Sequence, residues 1–161
     1  MIEKFNSFIT KMNSSTSTND KVDIIRVADR DIRKILYYTY NSYMQYYVTP
    51  KIIEKRSDLV NKHSKFSTIF ELLDSLNERL ITGHKALEEV NGFIFKNPEY
   101  KPLLDLILNR NLKVRASVKL INKAIPNLIP TFNVALANRY DEKTKKKVDF
   151  KKDVWYVSRK L

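Results

Sequence analysis

The chain has 161 residues, of which 43% are hydrophobic, which is enough for one ordinary domain with a buried core and the start of another. It has no cysteine, which excludes disulfides and cysteine-based zinc sites and is typical of a cytoplasmic protein, and no apolar run reaches the roughly 20 residues that span a bilayer. The net charge of +12 favours an anionic partner. Nucleic acid is favoured over a membrane, because no helical segment combines a cationic face with an exposed aromatic one.

The N-terminal part of the chain predicts three helices. Hydrophobic residues recur at helical spacing from Ile2 to Met12, residues 13–19 are loop-forming types, and a second helix is expected over about 20–28. Asp29 is a candidate N-cap for a third helix, which should run to Tyr47 and end near Pro50. The buried stripe of that third helix would consist of Ile32, Ile35, Leu36, Tyr40, Tyr43, Met44 and Tyr47.

Tyrosines are concentrated in this third predicted helix. Because Tyr40, Tyr43 and Tyr47 fall on its apolar stripe, we expect them to pack in the core rather than to stack on single-stranded bases. Tyr37 and Tyr38 lie off the stripe, so the stacking alternative stays open for them.

Three further helices are predicted in the middle of the chain. Thr68 and Glu71 form a capping box for a helix that runs to about Leu80, and Thr82 should cap another that runs to about Phe95. An Asn-Pro pair at 97–98 opens the third. The expected inward residues are Ile69, Leu72, Leu73 and Leu76 in the first of these helices and Leu103, Leu104, Ile107 and Leu108 in the last.

The stretch from 103 to 130 organises the rest of the prediction. After a polar break at 109–111, a second helix is expected, ended by Pro126 and Pro130. Its buried stripe would be Val114, Val118, Ile121 and Ile125. A cationic stripe of Arg115, Lys119 and Lys123, each four residues apart, would lie beside it. One face would therefore pack on a core while the adjacent face offers positive charge to a polyanion.

The remaining segments complete the predicted architecture. Residues 51–66 are expected to form a basic, partly irregular connector, and the short β-type runs at 132–136 and 154–157 predict the first hairpin of another domain. We therefore predict a mainly α fold with about six or seven helices. It would comprise a helical domain at 1–129 and an incomplete, β-containing domain at 130–161.

Seven short runs resemble the ATP-dependent DNA ligases of the T-even bacteriophage type, around the junction between their DNA-binding and nucleotidyltransferase domains. They are 110–112 (RNL), 116–118 (ASV), 121–123 (INK), 126–130 (PNLIP), 136–137 (LA), 140–143 (YDEK) and 157–161 (VSRKL). The resemblance covers nearly the whole chain and is most specific after Leu108. It implies a helical DNA-binding domain followed by the start of an adenylation domain, with the sequence ending inside the Lys-x-Asp-Gly motif.

The resemblance implies that Lys160 is the nucleophile that attacks the α-phosphate of ATP, in a Mg²⁺-assisted reaction that seals nicks through lysyl-AMP. Ser158 would lie at the adenine edge, where many relatives carry an acidic or amide residue. Because no Asp-Gly follows Lys160 in this sequence, we expect the 161-residue chain alone to be inactive and to hold no cofactor. A cytoplasmic monomer is expected.

The resemblance further implies that the partner is nicked double-stranded DNA, held by its backbone without sequence preference. The expected contacts are Arg110, Lys113, Arg115, Lys119 and Lys123, with further candidates at Lys62, Lys65, Lys51, Lys55 and Arg56. Thr82 and Gly83 could present backbone N–H groups at a helix N-terminus to a phosphate, although ordinary capping would explain them as well. The family usually has Gly at position 115, so a side-chain contact would replace close backbone approach there.

Other interpretations stay open. A stand-alone nucleic-acid-binding helical protein would carry no enzyme, and an RNA ligase or capping-type nucleotidyltransferase would share Lys160 but resembles chains that place this lysine near the N-terminus. A helical protein-interaction domain would leave the cationic stripe unexplained, unless these charges serve only as a solvated helix face. His63 and His84 lack the partner spacing of metal ligands, so no metal site is expected.

Overall fold

The computed structural model describes residues 1–132 and 151–152, and it divides the chain into two compact units, Met1–Thr131 and Phe132–Leu161. The described residues form eight α-helices, one 3-10 helix and no strand. The α-helices are α1 (Ile2–Ser14), α2 (Thr18–Arg26), α3 (Arg30–Tyr40), α4 (Pro50–Lys55), α5 (Ile69–Asn77), α6 (Gly83–Lys96), α7 (Lys101–Leu108) and α8 (Val118–Ala124). A mainly helical fold is confirmed for this part of the chain. Of the predicted β-type runs, only Phe132 falls within the described residues, and the 129/130 domain boundary stays a prediction.

Local capping signals fix where several helices begin. The Asp29 carboxylate accepts a hydrogen bond from the Ile32 N–H at 3.0 Å, so the predicted N-cap of α3 is confirmed. Thr68 and Glu71 form the predicted capping box of α5, with both of its hydrogen bonds present. Ser17 caps α2, which therefore begins two residues earlier than predicted.

The predicted length of the third helix was wrong. Helix α3 ends at Tyr40, because the chain turns away at Asn41, whose side chain accepts a hydrogen bond from the Tyr43 N–H at 3.0 Å. Residues 41–49 form a loop instead. As a result, the core positions predicted for Tyr43 and Tyr47 were also wrong, since these side chains are 59% and 64% exposed. Tyr46, which lay off the predicted stripe, is buried instead.

The predicted connector at 51–66 contains a helix. Thr49 caps α4 by accepting the Ile52 N–H, and Pro50 stands in its first turn, so this proline starts a helix rather than ending one. The rest of the segment packs on α6 through Asn91, whose side-chain amide donates to the Arg56 and Leu59 carbonyls at 2.9 Å each.

Glycine is required where this segment crosses α6. A Cβ atom on Gly92 would lie 2.1 Å from the carbonyl oxygen of Asn61, so only a residue without a side chain permits the close approach. The neighbouring Asn61 N–H donates to the Glu88 carbonyl at 2.9 Å, which fixes the loop against the helix.

The helices of the central part form the core as predicted, with small differences at their ends. Helix α5 stops at Asn77 rather than Leu80, and a 3-10 helix at Pro98–Tyr100 precedes α7. Thr82 occupies the N-cap position of α6, but its side chain makes no capping hydrogen bond. The predicted inward residues Ile69, Leu72, Leu73, Leu76, Leu103, Leu104, Ile107 and Leu108 are all buried.

The long helix predicted after the break at 109–111 was wrong. Arg110, Lys113 and Arg115 have φ angles of 57°, 57° and 50°, in the left-handed region that ends a right-handed helix. Ser117 then caps the short α8 by accepting the Leu120 N–H at 3.2 Å. The predicted stripe of three cations on one helix is therefore not formed, because Arg115 lies in the loop.

Two of the four residues in the predicted apolar stripe are buried nonetheless. Val114 enters the core from the loop and Ile121 from α8, whereas Val118 and Ile125 are half-buried. Ile125 lies just past the end of α8, where extended backbone before Pro126 stops the helix. None of the helices within residues 1–132 is long and apolar enough to cross a membrane.

Candidate nucleic-acid interface

Two segments of the helical unit, 78–82 and 109–117, each contact the loop at 41–49, and we call the three together the three-loop surface. The clearest link is Arg110, whose guanidinium donates to the Asn41 carbonyl at 2.6 Å and also to the Met44 carbonyl. The same guanidinium lies 5.1 Å from the centroid of the Tyr46 ring. Arg110 thus joins the loop after α7 to the loop after α3.

A second arginine makes a parallel contact. The Arg79 guanidinium lies 4.9 Å from the centroid of the Tyr47 ring, and the nearby Asn77 side chain accepts a hydrogen bond from the Gln45 N–H at 2.7 Å. The segment after α5 is therefore joined to the 41–49 loop as well. The rings of two consecutive tyrosines, Tyr46 and Tyr47, therefore each make a cation–π contact with one arginine.

Both arginines occupy the same position of the same helix-ending motif. Arg79 and Arg110 have φ angles of 58° and 57°, and each stands just past a helix C-cap. The next N–H in each case reaches back to the helix, from Leu80 to Ser75 at 2.9 Å and from residue 111 to Leu106 at 3.1 Å. This is the Schellman pattern, in which glycine is the usual left-handed residue. Arginine accepts the less favourable backbone conformation in both turns.

Buried tyrosine hydroxyls complete the framework below this surface. Tyr46 donates to the Tyr38 carbonyl at 2.5 Å, and Tyr38 donates to the Asp74 carboxylate at 2.7 Å. The Tyr40 hydroxyl accepts a hydrogen bond from the Leu112 N–H at 3.3 Å. Burial raises the pKa of all three phenols above the ordinary value, so they stay neutral. These hydroxyls connect α3 to the 41–49 loop, to α5 and to the 109–117 segment.

Four exposed cations come after Arg110 in the sequence. Lys113 and Arg115 are exposed in the loop at 109–117, and Lys119 and Lys123 are exposed on α8, one turn apart. Helix α8 itself packs against α2. Asn122 fixes the chain after α8, because its side chain both donates to and accepts from the Ile129 backbone, at 2.8 Å and 2.9 Å.

These cations have no carboxylate beside them in the sequence. Between Asp105 and Asp141 there are six Lys or Arg residues and no Asp or Glu. Among the described residues, none of the four exposed cations forms an ion pair, whereas Lys101 on α7 pairs with both Glu54 and Asp105. Lys119 also stands in the first turn of α8, where the helix dipole disfavours a positive charge. The positive charge is therefore available to an external anion.

Other predicted contacts lie elsewhere. Lys62 sits 5.9 Å from the ring centroid of Phe95 near the C-terminal end of α6, whereas Thr82 and Gly83 stand at its N-terminal end. A 14-residue helix is about 20 Å long, so the structure does not bring these two groups together. Lys65 is exposed in the same loop as Lys62.

The remaining predicted contacts lie in two places, at the N-terminal end of α6 and on or after α4. Gly83 has a φ of 56°, and it follows Arg79 closely in the chain, so the Thr82–Gly83 turn adjoins the three-loop surface. Lys51 and Lys55 are exposed on α4, and the Arg56 guanidinium bonds to Asp58 at 3.2 Å.

Some predicted and some unforeseen residues bear on the site. Lys160 and Ser158 lie outside the described residues, so their roles stay predictions. Arg79, Tyr43 and Tyr47 were not expected at this surface. No glycine marks the helix end at Arg79, so the sequence held no signal for it. The turn-forming Asn41 could have signalled the loop that exposes the two tyrosines.

Similarity to known proteins was found among whole sequences and not among family models. No protein-family model matches the chain. The DNA ligases of Enterobacteria phages T4 and T6 are each 31% identical to it in an alignment of 144 residues that covers 84% of this chain. The chain is therefore similar to a part of these two phage DNA ligases. It spans 28% of the length of each of these relatives.

Proposed function

We propose that the chain is the DNA-binding portion of an ATP-dependent DNA ligase, in which residues 1–129 hold the backbone of nicked duplex DNA. This proposal rests on two findings that agree with each other. The chain is 31% identical to two phage DNA ligases, and its exposed cations at 113–123 lie in a stretch without any carboxylate. A ligase acts on a polyanion, so unpaired cations beside a preformed surface suit this substrate.

Contacts to phosphates suit the task better than contacts to bases. A ligase must act at nicks of any sequence, and bonds to phosphates position a protein without reading the sequence. Lys113, Arg115, Lys119 and Lys123 would supply these bonds, with backbone N–H groups at the Thr82–Gly83 turn as a further donor. At position 115 the left-handed φ of 50° is the conformation that glycine, usual there in the family, adopts at little cost. Arg115 keeps that backbone shape and adds a charged side chain.

Arg110 has a different part in this proposal. Its guanidinium is occupied by two carbonyls and a tyrosine ring, so it orders the loop that carries Lys113 and Arg115 rather than reaching a phosphate. Its sequence-based role as a DNA contact stays a prediction, and the geometry supports a positioning role.

The chemistry of the whole enzyme is also a proposal. Lys160 would attack the α-phosphate of ATP with its neutral amine, and pyrophosphate would leave. Mg²⁺ would offset the charge on the leaving group. Ser158 would contribute backbone contacts near the adenine. Replacing Lys160 with alanine in the full-length protein should abolish transfer of AMP to the enzyme while DNA binding is retained.

A fluorescence-anisotropy titration tests the binding proposal. The chain is titrated against nicked duplex, intact duplex and single-stranded DNA of the same length. We expect both duplexes to bind more tightly than the single strand, and Lys119→Ala/Lys123→Ala to weaken binding to both duplexes alike. A preference for single strand would favour the stand-alone coating protein. No binding at low salt would refute the proposal for this chain.

A further inference from the structure

Two exposed tyrosines belong to the 41–49 loop of the three-loop surface. Tyr43 and Tyr47 are 59% and 64% exposed, although tyrosine is usually at least partly buried. Tyr47 also has a φ of 57°, a conformation that bulky side chains rarely adopt. The loop is nevertheless fixed at two points, by Arg110 on one side and by the Gln45–Asn77 hydrogen bond on the other. The structure thus holds these two rings in solvent.

The groups around Tyr47 leave its hydroxyl as the free donor. The Arg79 guanidinium covers one face of the ring at 4.9 Å, which disfavours stacking of a base on that face. Neither the Tyr43 nor the Tyr47 hydroxyl has a hydrogen-bond partner among residues 1–132, and the guanidinium N–H groups of Arg79 have none there either. Phenolic O–H and guanidinium N–H groups are donors that suit phosphate oxygens.

The charge around these donors selects an anionic partner. The three segments at 41–49, 78–82 and 109–117 contain four Arg or Lys residues and one carboxylate, that of Glu78. Residues 41–49 themselves carry no charged side chain, so the net charge of the three segments comes from 109–117, while Arg79 and Glu78 offset each other.

We propose that the 41–49 loop is a further contact with duplex DNA, in which the Tyr43 and Tyr47 hydroxyls, together with the Arg79 guanidinium, donate hydrogen bonds to backbone phosphates. This inference rests on the proposed function, because it assigns a second kind of contact to the same surface. Tyrosine hydroxyls are among the groups that bond to phosphates in protein–DNA complexes. The arrangement adds two neutral hydroxyl donors and one charged guanidinium to the cationic contact at 113–123.

Hydroxyl deletion separates this role from a purely structural one. Tyr43→Phe and Tyr47→Phe keep each ring, and Tyr47→Phe keeps the contact with Arg79, so the fold should be unchanged. Tyr100→Phe is the matched control, because Tyr100 belongs to the 3-10 helix before α7 and not to the three-loop surface. Affinity for intact duplex is measured by anisotropy at several salt concentrations, with thermal unfolding as the check on folding.

The expected results differ between neutral and charged contacts. Each tyrosine variant should weaken duplex binding about three- to tenfold, as for the loss of one hydrogen bond. The slope of log K against log salt should not change, since a neutral hydroxyl releases no counterion. Arg79→Ala should weaken binding and also reduce the magnitude of that slope by about 0.9. Tyr100→Phe should bind like the unmodified chain.

Each contrary result has a definite meaning. Unchanged duplex affinity of Tyr43→Phe and Tyr47→Phe, or an equal loss in Tyr100→Phe, would overturn the inference. A loss confined to single-stranded DNA would overturn it too, since the rings would then be stacking on bases. Lys119→Ala/Lys123→Ala distinguishes the two levels. If the double lysine variant loses affinity and the tyrosine variants do not, only the proposed tyrosine contact is refuted. If the double lysine variant binds DNA normally, the proposed phosphate contact of α8 is refuted.

Discussion

Replacing Arg110 measures how strongly the three-loop surface is held together. The Arg110 side chain donates two charge-assisted hydrogen bonds to the carbonyls of Asn41 and Met44 and lies over the Tyr46 ring. Asn41 and Met44 are only 2% and 8% exposed, so little water is available to replace the lost donors. In Arg110→Ala the Met44 carbonyl loses its charged donor, the Asn41 carbonyl keeps only the Met44 N–H at 3.2 Å, and the contact with the ring is lost.

The size of the effect follows from these contacts. A hydrogen bond to a charged group contributes about 1.5–3 kcal/mol, and a partly buried cation–π contact about 1 kcal/mol. Since relaxation recovers part of the sum, Arg110→Ala should lower the free energy of unfolding by about 3–5 kcal/mol. Arg110→Lys should lower it by about 1.5–3 kcal/mol, because an ammonium group cannot reproduce the two-pronged planar contact. Alanine and lysine bear the same left-handed backbone strain as arginine, so that contribution cancels.

Arg79→Lys provides the matched control. Arg79 occupies the same Schellman position with a nearly equal φ, but it is exposed, and within residues 1–132 its guanidinium interacts with the exposed Tyr47 ring and forms no hydrogen bond or ion pair. An exposed cation–π contact contributes roughly 0.5–1 kcal/mol, so Arg79→Lys should destabilise by less than about 1 kcal/mol.

Urea unfolding monitored by helical circular dichroism gives these free energies. A change of less than about 0.5 kcal/mol in Arg110→Ala would refute the positioning role, because surface substitutions without specific contacts fall in that range. If the same variant instead bound DNA with a reduced salt dependence, the sequence-based role of Arg110 as a phosphate contact would be restored.

Three other substitutions test the helical unit by urea unfolding. Gly92→Ala should destabilise by at least about 2 kcal/mol, because its Cβ would meet the Asn61 carbonyl at 2.1 Å, whereas a free helix would gain from alanine. Thr68→Ala should lower the free energy of unfolding by about 1 kcal/mol through loss of the capping box, and an unchanged value would contradict the observed cap. The pKa of Asp29 lies below its ordinary value of 3.8, chiefly because its carboxylate accepts the Ile32 N–H. Its stabilising contribution is therefore complete above about pH 5 and is lost as the pH falls through 3.8 towards the lowered pKa, and Asp29→Asn should remove that part of the acid dependence.

The parts of the fold that the sequence predicted are those that local chemistry decides. Asp29 and Thr68 cap their helices because a side-chain oxygen meets an N–H only a few residues away. The buried leucines and isoleucines of α5 and α7 repeat at helical spacing, so their inward face was readable without the structure.

The parts that the sequence missed depend on distant contacts and on residues in unusual conformations. Arg79, Arg110 and Arg115 adopt left-handed backbone without the glycine that normally signals it, so the helix ends near them were hidden. Arg110 is separated from its partner Asn41 by 69 positions in the chain, and from its partner Met44 by 66 positions. No pattern within one helix reveals such a contact. Tyr43 and Tyr47 were consequently assigned to the core.

The candidate site was predicted in part. The positive charge of Lys119 and Lys123 on one face of a helix could be read from their spacing, and the structure shows both exposed on α8. The link between the 41–49 loop and Arg110, in the segment that precedes α8, could not be read, because it depends on contacts between distant parts of the chain. Lys160 stays a prediction from resemblance.

The most direct test of the central claim is the salt dependence of duplex binding in two variants that lose the same charge. Lys119→Ala/Lys123→Ala removes two cations from α8, and Lys62→Ala/Lys65→Ala removes two exposed cations from the loop at the far end of α6. Each phosphate contact contributes about 0.9 to the slope of log K against log salt. The account predicts a slope smaller by about 1.8 for the α8 variant and an unchanged slope for Lys62→Ala/Lys65→Ala, a result that would also exclude these two sequence-predicted candidates as phosphate contacts. Equal slopes in both variants would contradict a DNA-binding surface at α8 and the three loops.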